Sequence, residues 1–108
     1  MLNLMLANQT LDINKQDRYG VNAFWIAAFY GKIDFMETLR THGADIYATN
    51  QNGSNALHIA VKRKNIDVVR YLVLKCGYNL EATKHNGVTA LGIAAYKGYL
   101  GILQELAQ

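Results

Sequence analysis

The sequence predicts an all-α repeat protein, a solenoid of helix-turn-helix units joined by β-turn/hairpin loops. Three observations carry this. Gly20-Val21-Asn22-Ala23-Phe24-Trp25-Ile26-Ala27-Ala28 returns as Gly53-Ser54-Asn55-Ala56-Leu57-His58-Ile59-Ala60-Val61 and as Gly87-Val88-Thr89-Ala90-Leu91-Gly92-Ile93-Ala94-Ala95, the glycines being 33 and then 34 residues apart. A fixed period of this size marks stacked units that cannot bury their apolar faces alone. A second marker keeps the register: Gly43-Ala44-Asp45-Ile46 reappears as Gly77-Tyr78-Asn79-Leu80, and Thr10-Leu11-Asp12-Ile13 precedes the first full unit. Third, apolar residues recur at every third position in each unit's second helix: Ile33, Met36 and Leu39, then Ile66, Val69 and Leu72, then Leu100, Leu103 and Leu106. That is an apolar helical stripe.

The elements follow in order within one domain. Residues 1–16 form a partial unit, because Leu6 aligns with Leu39 and Leu72, so residues 1 to about 9 correspond to a lone outer helix. Residues 17–49 are the first full unit: Asn22 caps a helix at Ala23–Tyr30, Gly31 closes it, an outer helix starts near Ile33, and Gly43 ends that. Residues 50–83 repeat the plan with Asn55 as cap, a helix at Ala56–Arg63, Lys64 where glycine stands in the other units, and an outer helix from Ile66 ended by Gly77. The extra residue of this unit lies between Leu72 and Gly77. Residues 84–108 give Thr89 as cap, a helix at Ala90–Lys97 closed by Gly98, and an outer helix from Leu100, the unit being truncated after it. The polar stretches Asp45–Asn52 and Asn79–Asn86 lead from unit to unit. Phe24, Ile26, Ala27, Leu57, Ile59, Ala60, Leu91, Ile93 and Ala94 are expected to supply the inward packing of the inner helices.

Composition bounds the function. The 108 residues are 51% hydrophobic and 18% charged with no proline, which fits a folded chain and excludes a disordered or Pro-rich one. A net charge of +3 is too small to imply nucleic acid or a membrane surface. The single cysteine, Cys76, cannot form an intramolecular disulfide, so a reducing, cytoplasmic setting is expected. The longest wholly apolar run, Ala23–Tyr30, falls far short of the roughly 20 residues that span a bilayer. The apolar start Met1–Leu6 lacks the basic flank of a signal peptide.

On these residues the chain resembles the ankyrin-repeat family, an ankyrin-type solenoid with units of about 33 residues. The resemblance covers essentially the whole chain. The family's Gly-x-Thr-Pro-Leu-His-x-Ala signature is best matched by Gly53-Ser54-Asn55-Ala56-Leu57-His58-Ile59-Ala60, and its Gly-Ala-Asp ending by Gly43-Ala44-Asp45. Alanine replaces proline at Ala23, Ala56 and Ala90, asparagine replaces threonine twice as the cap, and Trp25 and Gly92 replace the signature histidine. Lys64 implies a left-handed residue strained by roughly 1 kcal/mol.

No constellation points to catalysis, a cofactor or a metal. Ser54 and His58 are four apart but have no acid placed to orient the histidine, and the alignment explains both as repeat residues, His58 as a hydrogen-bonding signature residue. Cys76 has no neighbouring histidine to activate it and reads as a structural thiol. His42, His58 and His85 occupy three different repeat positions, without the i, i+4 relation of a zinc site. Gly20, Gly53 and Gly87 are isolated turn glycines. Lys62-Arg63-Lys64 reads as a solvated cluster or a contact for an acidic protein surface, because the other basic residues are too dispersed for nucleic acid.

The resemblance implies a partner lying along the turn tips and the exposed face of the inner helices. The positions so implied are Arg18, Tyr19, Val21, Phe29 and Tyr30 in the first unit, Gln51, Asn52, Ser54, Lys62 and Arg63 in the second, and His85, Asn86, Val88, Tyr96 and Lys97 in the third. Phe29, Tyr30 and Tyr96 are the expected apolar anchors, with Phe29 and Tyr30 packing against the neighbouring unit as the competing reading. The function expected is a non-catalytic protein-protein interaction and scaffolding module for a protein partner, acidic with apolar anchors, with no nucleic acid and no membrane insertion. The alternatives are a targeting arm of a multidomain enzyme or channel, or a structural subunit held inside a large assembly. Apolar Leu4 and Met5 stand where full units place Glu37 and Thr38, Arg70 and Tyr71, and Gln104 and Glu105. With no polar cap at either end, the chain is expected to be a slice of a longer array touching adjacent repeats or another subunit.

Overall fold

A computed structural model describes residues 12–107; the expected lone outer helix, with Leu2, Leu4, Met5 and Leu6, lies outside the described residues. Six helices follow one another: α1 (Ala23–Tyr30), α2 (Ile33–Thr41), α3 (Ala56–Lys62), α4 (Ile66–Arg70), α5 (Ala90–Lys97) and α6 (Leu100–Leu106). A π-helical turn at Tyr71–Lys75 continues α4.

Each inner helix begins at a side-chain cap. Asn22 Oδ1 accepts from the Trp25 amide at 3.1 Å, Asn55 Oδ1 from the His58 amide at 2.8 Å, and Thr89 Oγ1 from the Gly92 amide at 3.1 Å. Such caps contribute about 1 kcal/mol each. In α3 the bond is returned, since the Asn55 amide donates to His58 Nδ1 at 3.0 Å; this is a capping box with histidine in the place of glutamate. Left-handed residues close α1 and α5 at Gly31 (φ 74°) and Gly98 (φ 71°). Lys64 takes the same conformation at φ 59°, the one non-glycine among the described residues to do so. It lies beyond the end of α3, which stops at Lys62, one residue earlier than expected, with Arg63 as its cap.

The helices pack as two rows. α1 lies against α2 and α3, α3 against α4 and α5, and α6 against both α4 and α5. Hairpin-like turns join the units: the Asp17 amide donates to Val21 O at 2.9 Å, Asn50 to Ser54 O at 3.0 Å, and Lys84 to Val88 O at 2.9 Å. An antiparallel bridge pairs Thr83 with Thr89. Three side chains of the inner row reach forward into the next connection: Asn22 Nδ2 donates to Asp45 O (2.9 Å), Trp25 Nε1 to Ser54 O (2.9 Å) and the His58 ring bonds Ala82 O (3.0 Å). In the third unit Thr89 and Gly92 stand at these positions, and neither supplies an amide or ring donor.

The extra residue of the second unit is absorbed in the π turn. There the Cys76 amide donates to Tyr71 O, five residues back, at 3.3 Å, and the Tyr78 amide donates to Leu72 O at 3.1 Å. Leu72 thereby stays buried while Leu74 is turned out to 71% exposure.

Phe24, Leu57, Met36, Leu39, Val61, Val68, Val69 and Leu72 form the centre of the core. Three expected core residues are corrected. Leu91 is 44% exposed and Leu100 is 65% exposed, whereas Phe24 and Leu57, aligned with Leu91, are each 1% exposed. The following unit covers the aligned residues, and no described residue lies beyond the third. In α6 burial falls on Leu106, as expected, and on Ile102 in place of Leu100. Ile26 is 39% exposed for the converse reason: its aligned partner Ile59 is covered by the unit before it.

A candidate protein-binding groove

The turn tips are built by side chains that fold back on their own backbone. Asp17 Oδ1 accepts the Tyr19 amide (2.9 Å) and the Val21 amide (3.2 Å), while Asn50 Oδ1 accepts the Asn52 and Ser54 amides, each at 3.0 Å. Asn86 Oδ1 takes the Val88 amide in the third tip. Successive tips touch through a glycine. The His85 amide donates to Asn52 O at 2.9 Å, and a Cβ on Gly53, which sits at φ +80°, would lie 2.6 Å from the His85 ring.

Between the first two tips and α1 runs a groove of 480 Å³ lined by Tyr19, Val21, Trp25, Ile26, Phe29, Tyr30 and Gln51, with Asp17, Asn50 and Asn52 at its polar edge. Its aromatic wall is ordered by ring contacts. Trp25 stacks on Phe29 at 5.9 Å between centroids, and Tyr30 meets Phe29 edge-on at 4.9 Å. The Arg63 guanidinium lies over the other side of this cluster, 4.1 Å from the Phe29 centroid, and Arg18 lies 5.5 Å from that of Tyr19. Contacts of this kind are worth roughly 0.5–1 kcal/mol at exposed sites, enough to orient a side chain.

The sequence-derived positions divide by exposure. Tyr19, Tyr30 and Tyr96 are 50%, 64% and 91% exposed, and Arg18, Gln51, Asn52, Lys62, Arg63, His85, Asn86 and Lys97 are also exposed. Phe29 and Val88 are half-buried, so Phe29 both faces the groove and packs against the second unit through Arg63. Val21 and Ser54 are buried, contrary to the expected exposure: Val21 belongs to the core, and Ser54 turns its carbonyl to Trp25. Trp25, Ile26, Asp17 and Asn50 line the groove although the sequence reading left them out. A signal for Trp25 was available, since an indole at the signature histidine position has far more ring than one hydrogen bond uses.

Charge is segregated across the two rows. α1, α3, α5 and their closing turns contain no acid, and their charges are the cations Lys62, Arg63, Lys64 and Lys97. The outer row carries Glu37, Asp67 and Glu105 in ion pairs, with Asp34 outside them. Glu37 accepts from Tyr71 Oη at 2.5 Å and pairs with Arg40 at 3.2 Å, Arg40 also donates to Lys75 O, and Arg70 pairs with Glu105 at 3.1 Å. The Tyr71 hydroxyl holds the Glu37 carboxyl below its ordinary range. Most acids of the outer row are thus neutralised within it, whereas the inner helices carry cations and no acid.

The remaining reactive types are occupied by structure. Both His58 nitrogens are engaged, one by the Asn55 amide and the other by Ala82 O, so neither is free to act on Ser54. Burial pushes the His58 ring below its ordinary value. Burial also pushes the Cys76 thiol up, away from the thiolate. Among the described residues no three histidine, cysteine or acidic side chains gather as metal ligands, and no helix is long and apolar enough to cross a membrane.

The repeated cap, paired helices and forward hydrogen bonds define a class, the helix-pair solenoids. Within it, the family model for ankyrin repeats (3 copies) matches residues 1–84 and again 24–108, and the chain belongs to the ankyrin-repeat family. It is 34% identical over 93 residues to the NF-kappa-B inhibitor cactus of Drosophila yakuba, covering 84% of this chain and 19% of that one. It is 34% identical over 98 residues to the palmitoyltransferase AKR1 of Lachancea kluyveri, covering 86% and 13%. It is 32% identical over 93 residues to the neurogenic locus notch homolog protein 1 of Homo sapiens, covering 86% and 4%. The chain therefore spans less than a fifth of the length of each of these relatives. Ankyrin repeats are in general protein-interaction modules and not catalysts.

Proposed function

We propose that this chain is a non-catalytic protein-interaction and scaffolding module of the cytoplasm, binding a protein partner through the inner-row groove and the turn tips. One observation carries the reading: exposed tyrosines and cations that have no ion pair among the described residues share the inner face, which has no acid on its helices, while the outer face pairs most of its acids. A partner surface with apolar anchors and carboxylates complements that face, and neither nucleic acid nor a membrane is required. A second reading, the targeting arm of a larger protein, is favoured by the small share of each relative that the chain spans, one of those relatives being a palmitoyltransferase.

Site-specific photocrosslinking in cells tests the groove. A benzophenone side chain at Tyr30 or Lys97 is expected to capture a discrete partner, and one at Gln104 on the outer row to capture none. Capture from Gln104 alone would move the site to the convex face.

A further inference from the structure

The geometry points to a fixed register for the partner: one uncharged apolar side chain seats in the groove walled by Tyr19, Trp25, Ile26, Phe29, Tyr30 and Gln51, and an acidic run of the same segment continues over Arg63, Lys62 and Lys97. This rests on the inner-row reading above and adds which end of the groove takes which chemistry.

Three polar groups of the groove wall are already engaged. Asp17 Oδ1 and Asn50 Oδ1 each accept two backbone amides of their own turn, and the Trp25 Nε1 donor is held by Ser54 O. Most of what faces the space is ring and aliphatic surface, including Ile26 at 39% and Tyr30 at 64% exposure. A carboxylate seated inside would lie beside the Asp17 carboxylate, and a cation would approach the Arg63 guanidinium that already covers Phe29. An apolar group meets neither obstacle. The volume of 480 Å³ lies within the roughly 300–1,000 Å³ of clefts that enclose a small ligand, ample for one large side chain. Outside the groove the chemistry reverses. Lys62 and Arg63 stand at the end of α3 and Lys97 at the end of α5, with no acid on either helix. Complementary carboxylates there raise the association rate and fix the direction of approach.

The probe is a fluorescein-labelled peptide with one leucine followed by a run of glutamates. Three others accompany it: the leucine-to-serine peptide, the glutamate-to-lysine peptide and a labelled oligothymidylate. Anisotropy reports binding, and Trp25, the sole tryptophan of the chain, reports whether the groove is filled. The leucine-glutamate peptide is expected to bind best and to shift Trp25 emission. Replacing its leucine with serine, or Tyr30→Ala in the protein, should each weaken binding about tenfold, and the two together should weaken it less than the product, because both remove one contact. Arg63→Glu should weaken binding and flatten its salt dependence. The inference is overturned if the serine peptide binds equally well, if oligothymidylate binds better, or if no peptide binds at about millimolar concentration. If Tyr96→Ala and Lys97→Glu weaken binding while Tyr30→Ala does not, the register falls and the inner-row reading stands. If Arg70→Ala or Gln104→Ala alone weakens it, both fall.

Discussion

At the tip of the second unit, Gly53 carries two demands that Gly87, its counterpart in the third, does not share. Both have positive φ, +80° and +85°, but a Cβ at Gly53 would lie 2.6 Å from the His85 ring and 2.9 Å from the His85 backbone nitrogen, while a Cβ at Gly87 meets nothing within 4 Å. Gly87→Ala should therefore cost about 1 kcal/mol of conformational strain, and Gly53→Ala about 2 kcal/mol or more because the backbone of the next tip must move. Paired urea melts check this, with equal losses contradicting the contact. His58 makes a second prediction. Its ring is held below the ordinary 6.5 by burial, so the folded state prefers it neutral. The unfolded chain binds the proton first, and stability that is fully present above pH 6.5 is lost as the pH falls through the folded-state value. Glu37, also held low, adds a similar loss only below the ordinary glutamate value of 4.5. In His58→Gln the loss between these two pH values should be much reduced, as read by denaturant midpoints across pH. The role of His58 as a bonded signature residue followed from the family resemblance; that of Gly53 was not legible, because its steric partner lies 32 residues away in sequence.

At the scale of the element, the caps and closing glycines of the inner helices were readable because their bonds are local, within four residues of the cap. The π turn was readable only as a count. A one-residue excess before Gly77 can be looped out, can shift the register or can widen a turn, and the choice depends on keeping Leu72 in the core and Tyr71 against Glu37. Deleting Leu74, which is 71% exposed, should convert the π turn to α-helix and change stability by less than about 1 kcal/mol. The far-ultraviolet circular dichroism and melting temperature of the deletion variant test this; collapse of the fold would mean that the wide turn itself is required. The outer helices were the least legible of the elements. A spacing of three chose Leu106, which is buried, but also Leu100, whereas the face that α6 presents to α4 and α5 takes Ile102 instead.

Over the whole molecule, burial depends on neighbours more than on residue type. Leu57 and Leu91 occupy the same place in their units and differ from 1% to 44% exposure. No reading of single residues distinguishes them, and the groove shows the same limit, because it forms between two tips and an inner helix. Leu91 and Leu100 leave apolar surface exposed on the third unit. The 108-residue chain should self-associate through this surface, and Leu91→Glu with Leu100→Lys should lower the association by sedimentation without lowering the melting temperature. Unchanged association would place the contact elsewhere.

The bonds that reach forward from Asn22, Trp25 and His58 give the array a polarity in time as well as in space. Trp25 ties the first unit to the second, Asn22 and His58 tie their helices to the connection that leads to the next unit, and the third unit returns no such bond. In a quasi-one-dimensional chain of this kind, local opening starts where coupling to a neighbour is weakest and spreads inward. Amide hydrogens of α5 and α6 should exchange with solvent first and those of Leu57–Val61, clasped from both sides, last. Exchange followed by mass spectrometry would read that sequence directly, and a partner seated across the first two tips would slow exchange at the end of the array that is already the slower to open.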